Sequence, residues 1–324
     1  MAVNIPTKGA VMANTSISKK IMALSPHIEM VVRRLYWANV GWLSKRVIKK
    51  NTSTPLVSAV DYQKIENFLV AQGAKPGRLL LVHSAYAPFK GRGKTPNQIV
   101  DFLLDLVGSQ GTLAMPAMPK FDNSVDTRDY LKQDVLDQVY LYDVQKSGIK
   151  TGVLPLMLSK RFESVRSEHP INTMVALGPL ANELMKDNLV GESPLACGPN
   201  SSWKKCLDND ALIIGLGTDL THSLTSIHIA EDVQDKDWPV KDWYIDKKFK
   251  IINGENETNI QLRERAPKWG ALHFGERTLA KDLIDSGLLK STVIDGILIE
   301  TLNAKDLNIH LNNRNSCGYP YFWV

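Results

Sequence analysis

No run of about eighteen apolar residues occurs anywhere in this 324-residue chain, which excludes a transmembrane helix. The opening MAVNIPTKGA lacks the basic-then-apolar pattern of a secretory signal, so a cytoplasmic protein is expected. Cysteine is scarce: Cys197, Cys206 and Cys317 form no C-x-x-C pair, and an odd set of this kind suits reduced, structural thiols. Low-complexity segments and internal repeats are absent too. Charge of either sign is barely in excess, with 39 Lys and Arg against 34 Asp and Glu for a net +5. An imbalance that small, beside 44% hydrophobic residues, excludes an intrinsically disordered chain.

The excess is unevenly placed. Residues 1–50 carry nine bases and the single acid Glu29, so this stretch is +8 and the remainder −3. A non-specific nucleic-acid binder needs phosphate-neutralising charge along a face of its body, and a −3 body excludes that class. Within the basic arm, Val32, Leu35, Tyr36, Val40, Leu43 and Val47 recur at three- and four-residue steps, which predicts an amphipathic helix over Met30–Ile48. Two readings of residues 30–50 are open. The helix could lie on an anionic membrane with Trp37 and Trp42 near the headgroups, making the protein peripheral at the inner face. Alternatively, the stripe packs on the body or on another copy in a homo-oligomer. A boundary is expected near Pro55, dividing a basic extension, residues 1–55, from a single domain, residues 56–324.

From there helical and extended patterns alternate. Helices are predicted near Asp61–Gln72 and Pro96–Val107, strands at Arg78–His83, Thr112–Pro116 and Ala211–Leu216, and a helix from about Ser226. Leu79-Leu80-Leu81-Val82 and Ala211-Leu212-Ile213-Ile214 are unbroken apolar runs, as in strands covered on both faces. The fold class is α/β.

Several nucleotide and hydrolase signatures are missing. Gly93-Lys94-Thr95 has the tail of a P-loop, but Pro88 stands where the first glycine is required. Pro88 equally breaks the Gln/Arg-x-x-Gly-x-Gly/Ala signature of the common acetyltransferase (GNAT) fold, and no G-x-S-x-G elbow occurs. The loop from His83 to Thr95 can still offer Lys90, Arg92, Lys94 and backbone N–H groups to a diphosphate, or it is a solvated turn. Further on, a strand ends in Gly215-Leu216-Gly217, a polar loop follows, and His228 and Glu231 fall at i and i+3 on one helical face. A carboxylate there fixes an imidazole tautomer and makes the histidine a better general base; the alternative is a surface pair. Without a second histidine at i+4 or paired cysteines, no metal is expected.

Separated segments in a fixed order resemble the aminoglycoside 3-N-acetyltransferase family. They are Leu81-Val82-His83-Ser84, Gly111–Pro116, Thr151-Gly152-Val153-Leu154-Pro155, Arg166-Ser167-Glu168-His169-Pro170, Ala176-Leu177-Gly178-Pro179, Gly191-Glu192-Ser193-Pro194-Leu195 and Thr225-Ser226-Ile227-His228-Ile229-Ala230-Glu231. The resemblance spans about Val57 to Asn308 and implies a mixed-sheet α/β/α domain distinct from the common acetyltransferase fold, with an N-terminal helical extension. It also implies acetyl-CoA as co-substrate and direct acetyl transfer to an amine of a sugar. By position, His228 would be the base and Glu231 its partner, Thr225 would lie near the thioester oxygen, and His169 would belong to the same cleft. His83, Ser84, Ala85, Gly91, Arg92, Gly93 and Lys94 would face CoA. Asp219, Glu231 and Asp232 would meet the acceptor, with Asp235 and Asp237 nearby and Lys236 and Lys241 interrupting them. The chain departs from the family where Gly91-Arg92-Gly93 replaces the usual Gly-Gly and Leu224 replaces a usual Asn.

The chemistry fits such roles, because an amino sugar is mainly ammonium near neutral pH and must lose a proton to attack a thioester. Three functions remain open. The first is an amino-sugar N-acetyltransferase, with surface-polysaccharide assembly as one setting, acting on a small molecule or a sugar-linked carrier. The second is an aminoglycoside 3-N-acetyltransferase conferring antibiotic resistance. The third is a binding protein that kept the fold without catalysis.

Overall fold

The computed structural model describes residues 17–39, 58–121, 131, 138–191, 194–233, 238, 240–318 and 320–321. In chain order the strands are β1 (Leu79–Ser84), β2 (Thr112–Pro116), β3 (Val139–Asp143), β4 (Val165–Arg166), β5 (Met174–Leu177), β6 (Leu212–Leu216), β7 (Tyr244–Asn253), β8 (Asn256–Arg265), β9 (Lys290–Ile294) and β10 (Ile297–Asn303). Seven form one sheet in the order β4-β5-β2-β1-β6-β10-β9. Its centre is parallel, with Leu80 opposite Leu212 in β1/β6 and Leu113 in β1/β2, and its flanks are antiparallel.

The apolar runs of β1 and β6 are divided between the two faces. Leu79, Leu81 and Ile213 pack on one side against Trp203, Leu279, Leu283, Leu307 and Leu311 from the helices Ser202–Asp208, Glu276–Asp285 and Ala304–Asn315. Leu80, Val82, Leu212 and Ile214 pack on the other against Ile65, Leu69, Ile99, Leu103, Leu154 and Leu158 from the helices Tyr62–Ala71, Pro96–Val107 and Val153–Ser159. Burying a side chain of this size is worth roughly 1.5–3 kcal/mol, so these central strands fix the three-layer α/β/α arrangement. Helix ends follow local chemistry: Asp61 accepts the N–H of Lys64, and Thr95 with Gln98 closes a capping box ahead of Pro96. The remaining strands form a second sheet, β3-β7-β8, in which β7 and β8 make a hairpin around Gly254. Tyr140, Phe249, Ile251 and Leu262 of this sheet pack against Ile171 and Ala196 beside the main sheet.

Two expectations change. The N-terminal helix runs Pro26–Ala38, capped by Ser25, rather than from Met30 to Ile48, and residues 40–57, with Val40, Trp42, Leu43 and Val47, lie outside the described residues. Val32, Leu35 and Tyr36 are exposed while Glu29 and Met30 are buried, so the stripe does not pack on the body of this chain. Among the described residues no helix is long and apolar enough to cross a membrane. The helix expected from Ser226 is instead broken into short turns, Leu220–Ser223, Thr225–His228 and Ile229–Asp232.

Candidate active site

The site forms where parallel strands end. After β6 the chain turns at Gly217, whose φ is +73°; a Cβ there would stand 2.7 Å from the Ala85 carbonyl oxygen and 2.8 Å from the Phe89 ring. The following segment is tied down from behind by Glu300, which accepts the Leu220 N–H at 2.7 Å. Burial pushes the Glu300 carboxyl up to about 7. The Thr225–His228 and Ile229–Asp232 turns then carry His228 and Glu231 to the mouth of the cleft.

His228 Nδ1 lies 2.9 Å from Glu231 Oε2, with the histidine side chain 15% exposed and the carboxylate 3%. Burial first and the Arg265 charge second lower the His228 pKa, while Glu231 opposes both. The imidazole is therefore neutral at pH 7, and a proton on Nδ1 held by Glu231 leaves Nε2 as the basic nitrogen. Asp232 is less available than its neighbour. Its oxygens accept the Cys197 N–H at 2.9 Å and the Tyr244 hydroxyl at 2.8 Å, and burial pushes its pKa up to about 7. It thus ties the dyad's turn to β7 as well as lining the cavity.

Two chambers meet at His228. One, of about 650 Å³, is lined by His83, Ser84, Pro116, Thr151, Thr225 and Phe274 among others. The second, of about 440 Å³, lies against the three-stranded sheet and is lined by Glu231, Asp232, Tyr140, Tyr244, Glu264 and the cations Lys120, Lys150, Lys247 and Arg263. Met118, Asn172, His228 and Arg265 border both. A base at the junction of two chambers is an arrangement for moving a group between two bound molecules.

Other expected residues lie elsewhere. Arg92 is buried and donates to the carbonyls of Ser58 at 2.9 Å, Asp295 at 2.8 Å and Pro88 at 3.3 Å, so it clamps the loop to the β9–β10 turn and lines neither chamber. Lys94 sits over the rings of Tyr62 and Phe102, and Ala85, Gly91 and Gly93 are likewise outside both linings. His169 is buried with its ring nitrogens against the carbonyls of Ile171 and Pro194, at 3.0 and 3.2 Å; it shapes the loop that presents Pro170 and Ile171 to the second chamber. Asp219 is bound by Arg277 at 2.7 Å and Lys19 at 2.9 Å, and although burial opposes it, these cations hold its carboxyl well below the usual range. It faces no chamber. Asp235, Lys236 and Asp237 lie outside the described residues. Cys197 is fully buried and its thiol is pushed well up by burial, which removes it as a nucleophile at neutral pH. No group of His, Cys, Asp and Glu that could hold a metal occurs among the described residues.

Sequence reasoning did not find Arg265, at the end of β8, whose buried Nη1 has no hydrogen-bond partner among the described residues. No local motif marks it, because only the closure of the second sheet brings it beside His228. His83 lines the first chamber with Nε2 unpartnered among the described residues, and burial lowers its pKa to about 4, so it too is neutral.

The model of the aminoglycoside 3-N-acetyltransferase family matches residues 81–299, well over half of the chain. Aminoglycoside N(3)-acetyltransferase IX of Micromonospora chalcea is 26% identical over 247 residues, 71% of this chain and 84% of that protein. The crystal structure of aminoglycoside acetyltransferase AAC(3)-Xa superposes with a TM-score of 0.64 at 18% identity, over 82% of this chain and 94% of that one. The binary structure of AAC-IIIb with CoASH does so with a TM-score of 0.63 at 19% identity, over 81% and 98%. At these identities the structures establish a shared mixed-sheet α/β fold.

Proposed function

The chain belongs to the aminoglycoside 3-N-acetyltransferase family and is an N-acetyltransferase, and from that premise we propose that it transfers the acetyl group of acetyl-CoA directly to an amine of an aminoglycoside-type amino sugar. The observation that carries this reading is the His228–Glu231 pair at the junction of two chambers. We assign the thioester to the chamber of Ser84 and Thr225 and the acceptor to the chamber of Glu231 and Asp232.

His228 Nε2 takes a proton from the acceptor amine, whose nitrogen bonds to the thioester carbonyl carbon as the C–S bond breaks; the CoA thiolate then takes up a proton. Glu231 holds the ring and stabilises the imidazolium that forms, which requires the short Nδ1 contact. Thr225 and Ser84 both line the donor chamber, and we assign Thr225 to the thioester oxygen and Ser84 to CoA. Contact between two bound reactants supplies much of the acceleration, and the buried Cys197 is not needed as an acyl carrier.

Among the acceptor readings, the relatives' names favour an aminoglycoside over a sugar of surface-polysaccharide assembly. The formed dyad disfavours a binding protein without catalysis. The test is free-thiol release from acetyl-CoA with a panel of aminoglycosides, simple amino sugars and nucleotide-linked amino sugars. Turnover with aminoglycosides is expected, and His228→Ala lowers it by about 10²–10⁴ while CoA still binds. Turnover of nucleotide-linked sugars alone would reject the acceptor, and a His228→Ala rate within a few-fold of the parent would reject the base.

A further inference from the structure

The helix Pro26–Ala38 lies outside the residues matched by the family model, yet it forms part of the site. Met30 is fully buried, and the Glu29 side chain is only 1% exposed. Glu29 Oε1 accepts from Arg33 at 2.8 and 3.0 Å, and Oε2 accepts the backbone N–H of Arg277 at 2.8 Å. Arg33 continues to Glu276 at 2.9 Å and to the Gly270 carbonyl at 3.4 Å. Before it, Lys19 reaches Asp219, which also binds Arg277. A buried carboxylate is tolerated only where its oxygens are satisfied, and the partners of Glu29 lie on both the helix and the body. The helix is thereby held in one position.

From that position Arg33 and Trp37 line the 650 Å³ chamber, together with His83, Ser84, Thr225 and His228. Glu276, the partner of Arg33, lines it as well. We infer that this N-terminal helix is a wall of the donor chamber, and that Trp37 and the Arg33–Glu276 edge bind the acyl-CoA thioester. The inference rests on the assignment of the thioester to this chamber. The chamber opens at the carboxyl ends of β1 and β2, the end of an α/β sheet where nucleotide-bearing ligands sit. An indole offers a broad apolar surface to a pantetheine arm or a stacking face to adenine. The acceptor chamber receives no residue from this helix. The N-terminal arm is in this sense a donor-specificity element that the matched domain lacks.

Two variants of the full chain test the wall. Trp37→Ala removes a partly buried side chain that lines the chamber and is outside the hydrophobic core, and Met30→Asp places a carboxylate on the docked face to release the helix. Leu35→Ala, on the opposite, solvent-exposed side, is the control. The expected result is a rise of about tenfold or more in the KM for acetyl-CoA in Trp37→Ala, the equivalent of one lost aromatic contact. Met30→Asp matches or exceeds it, the acceptor KM stays within about twofold in Trp37→Ala, and Leu35→Ala leaves both constants unchanged. An acetyl-CoA KM within about twofold of the parent in Trp37→Ala overturns the inference, and so does a rise confined to the acceptor KM. A parent chain that neither binds CoA nor releases thiol overturns the proposed function itself, which separates the two failures.

Discussion

Replacing Glu231 by Gln keeps the side chain's size and a hydrogen-bonding group while removing its charge, so it isolates what the carboxylate does for His228. The contact is 2.9 Å and the carboxylate is shielded from water, which makes it a charge-assisted hydrogen bond worth about 1.5–3 kcal/mol. That energy is felt most when His228 carries the proton taken from the amine. At about 1.36 kcal/mol per factor of ten, Glu231→Gln should lower kcat by about 10- to 150-fold. His228→Ala removes the base itself and should cost about 10²–10⁴. The pH profile supplies an independent sign. Burial and Arg265 hold the His228 pKa below 6.5 and Glu231 opposes them, so losing Glu231 shifts the acidic limb of kcat/KM to lower pH even as the plateau falls. Arg265→Met should shift the same limb upward. Stopped-time thiol-release assays across pH 5–9 read both effects. A plateau loss under about threefold in Glu231→Gln, or a limb that moves upward, would refute the dyad.

Two further outcomes follow from groups outside the dyad. Arg92→Met should lower stability in urea by about 2–3 kcal/mol through the orphaned carbonyls of Ser58, Pro88 and Asp295, yet leave the acetyl-CoA KM within about twofold; a raised KM with unchanged stability would restore Arg92 as a phosphate ligand. Glu300 is raised from 4.5 to about 7 in the folded state, so it binds a proton that the unfolded chain has already lost, and stability declines as pH rises through that interval. At about 1.4 kcal/mol per pH unit, roughly 3 kcal/mol is the ceiling on this loss. Glu300→Gln should therefore melt higher than the parent at pH 8 and not at pH 4, and equal melting differences at both would contradict the assignment.

The elements nearest the site in sequence were legible because their signals are local. The run Leu79–Val82, the Asp61 cap, the Thr95–Gln98 capping box and the i, i+3 spacing of His228 and Glu231 each act within a few residues. Arg92 and His169 were placed among the ligand-facing residues because basic and imidazole groups look alike whether they face a ligand or a backbone carbonyl. Only their partners, Asp295 and Ser58 for one and Pro194 for the other, distinguish the cases, and all three are distant in the chain. In the helix Pro26–Ala38 the apolar spacing marks a stripe that this chain leaves exposed, whereas the acid of the basic arm, Glu29, is the group buried against the body, which no local pattern signals.

The sequence by itself determined the α/β class, the central strands, the i, i+3 spacing of His228 and Glu231 and the family, since these depend on periodicity and on ordered local motifs. Tertiary structure alone decided that Arg265 stands beside His228, that two chambers meet there, and that the +8 arm spends Lys19 and Arg33 on Asp219, Glu29 and Glu276. The reason is physical: a charge's role is set by what lies within a few ångströms of it and by how much water is excluded. Both are products of closure between segments far apart in the chain.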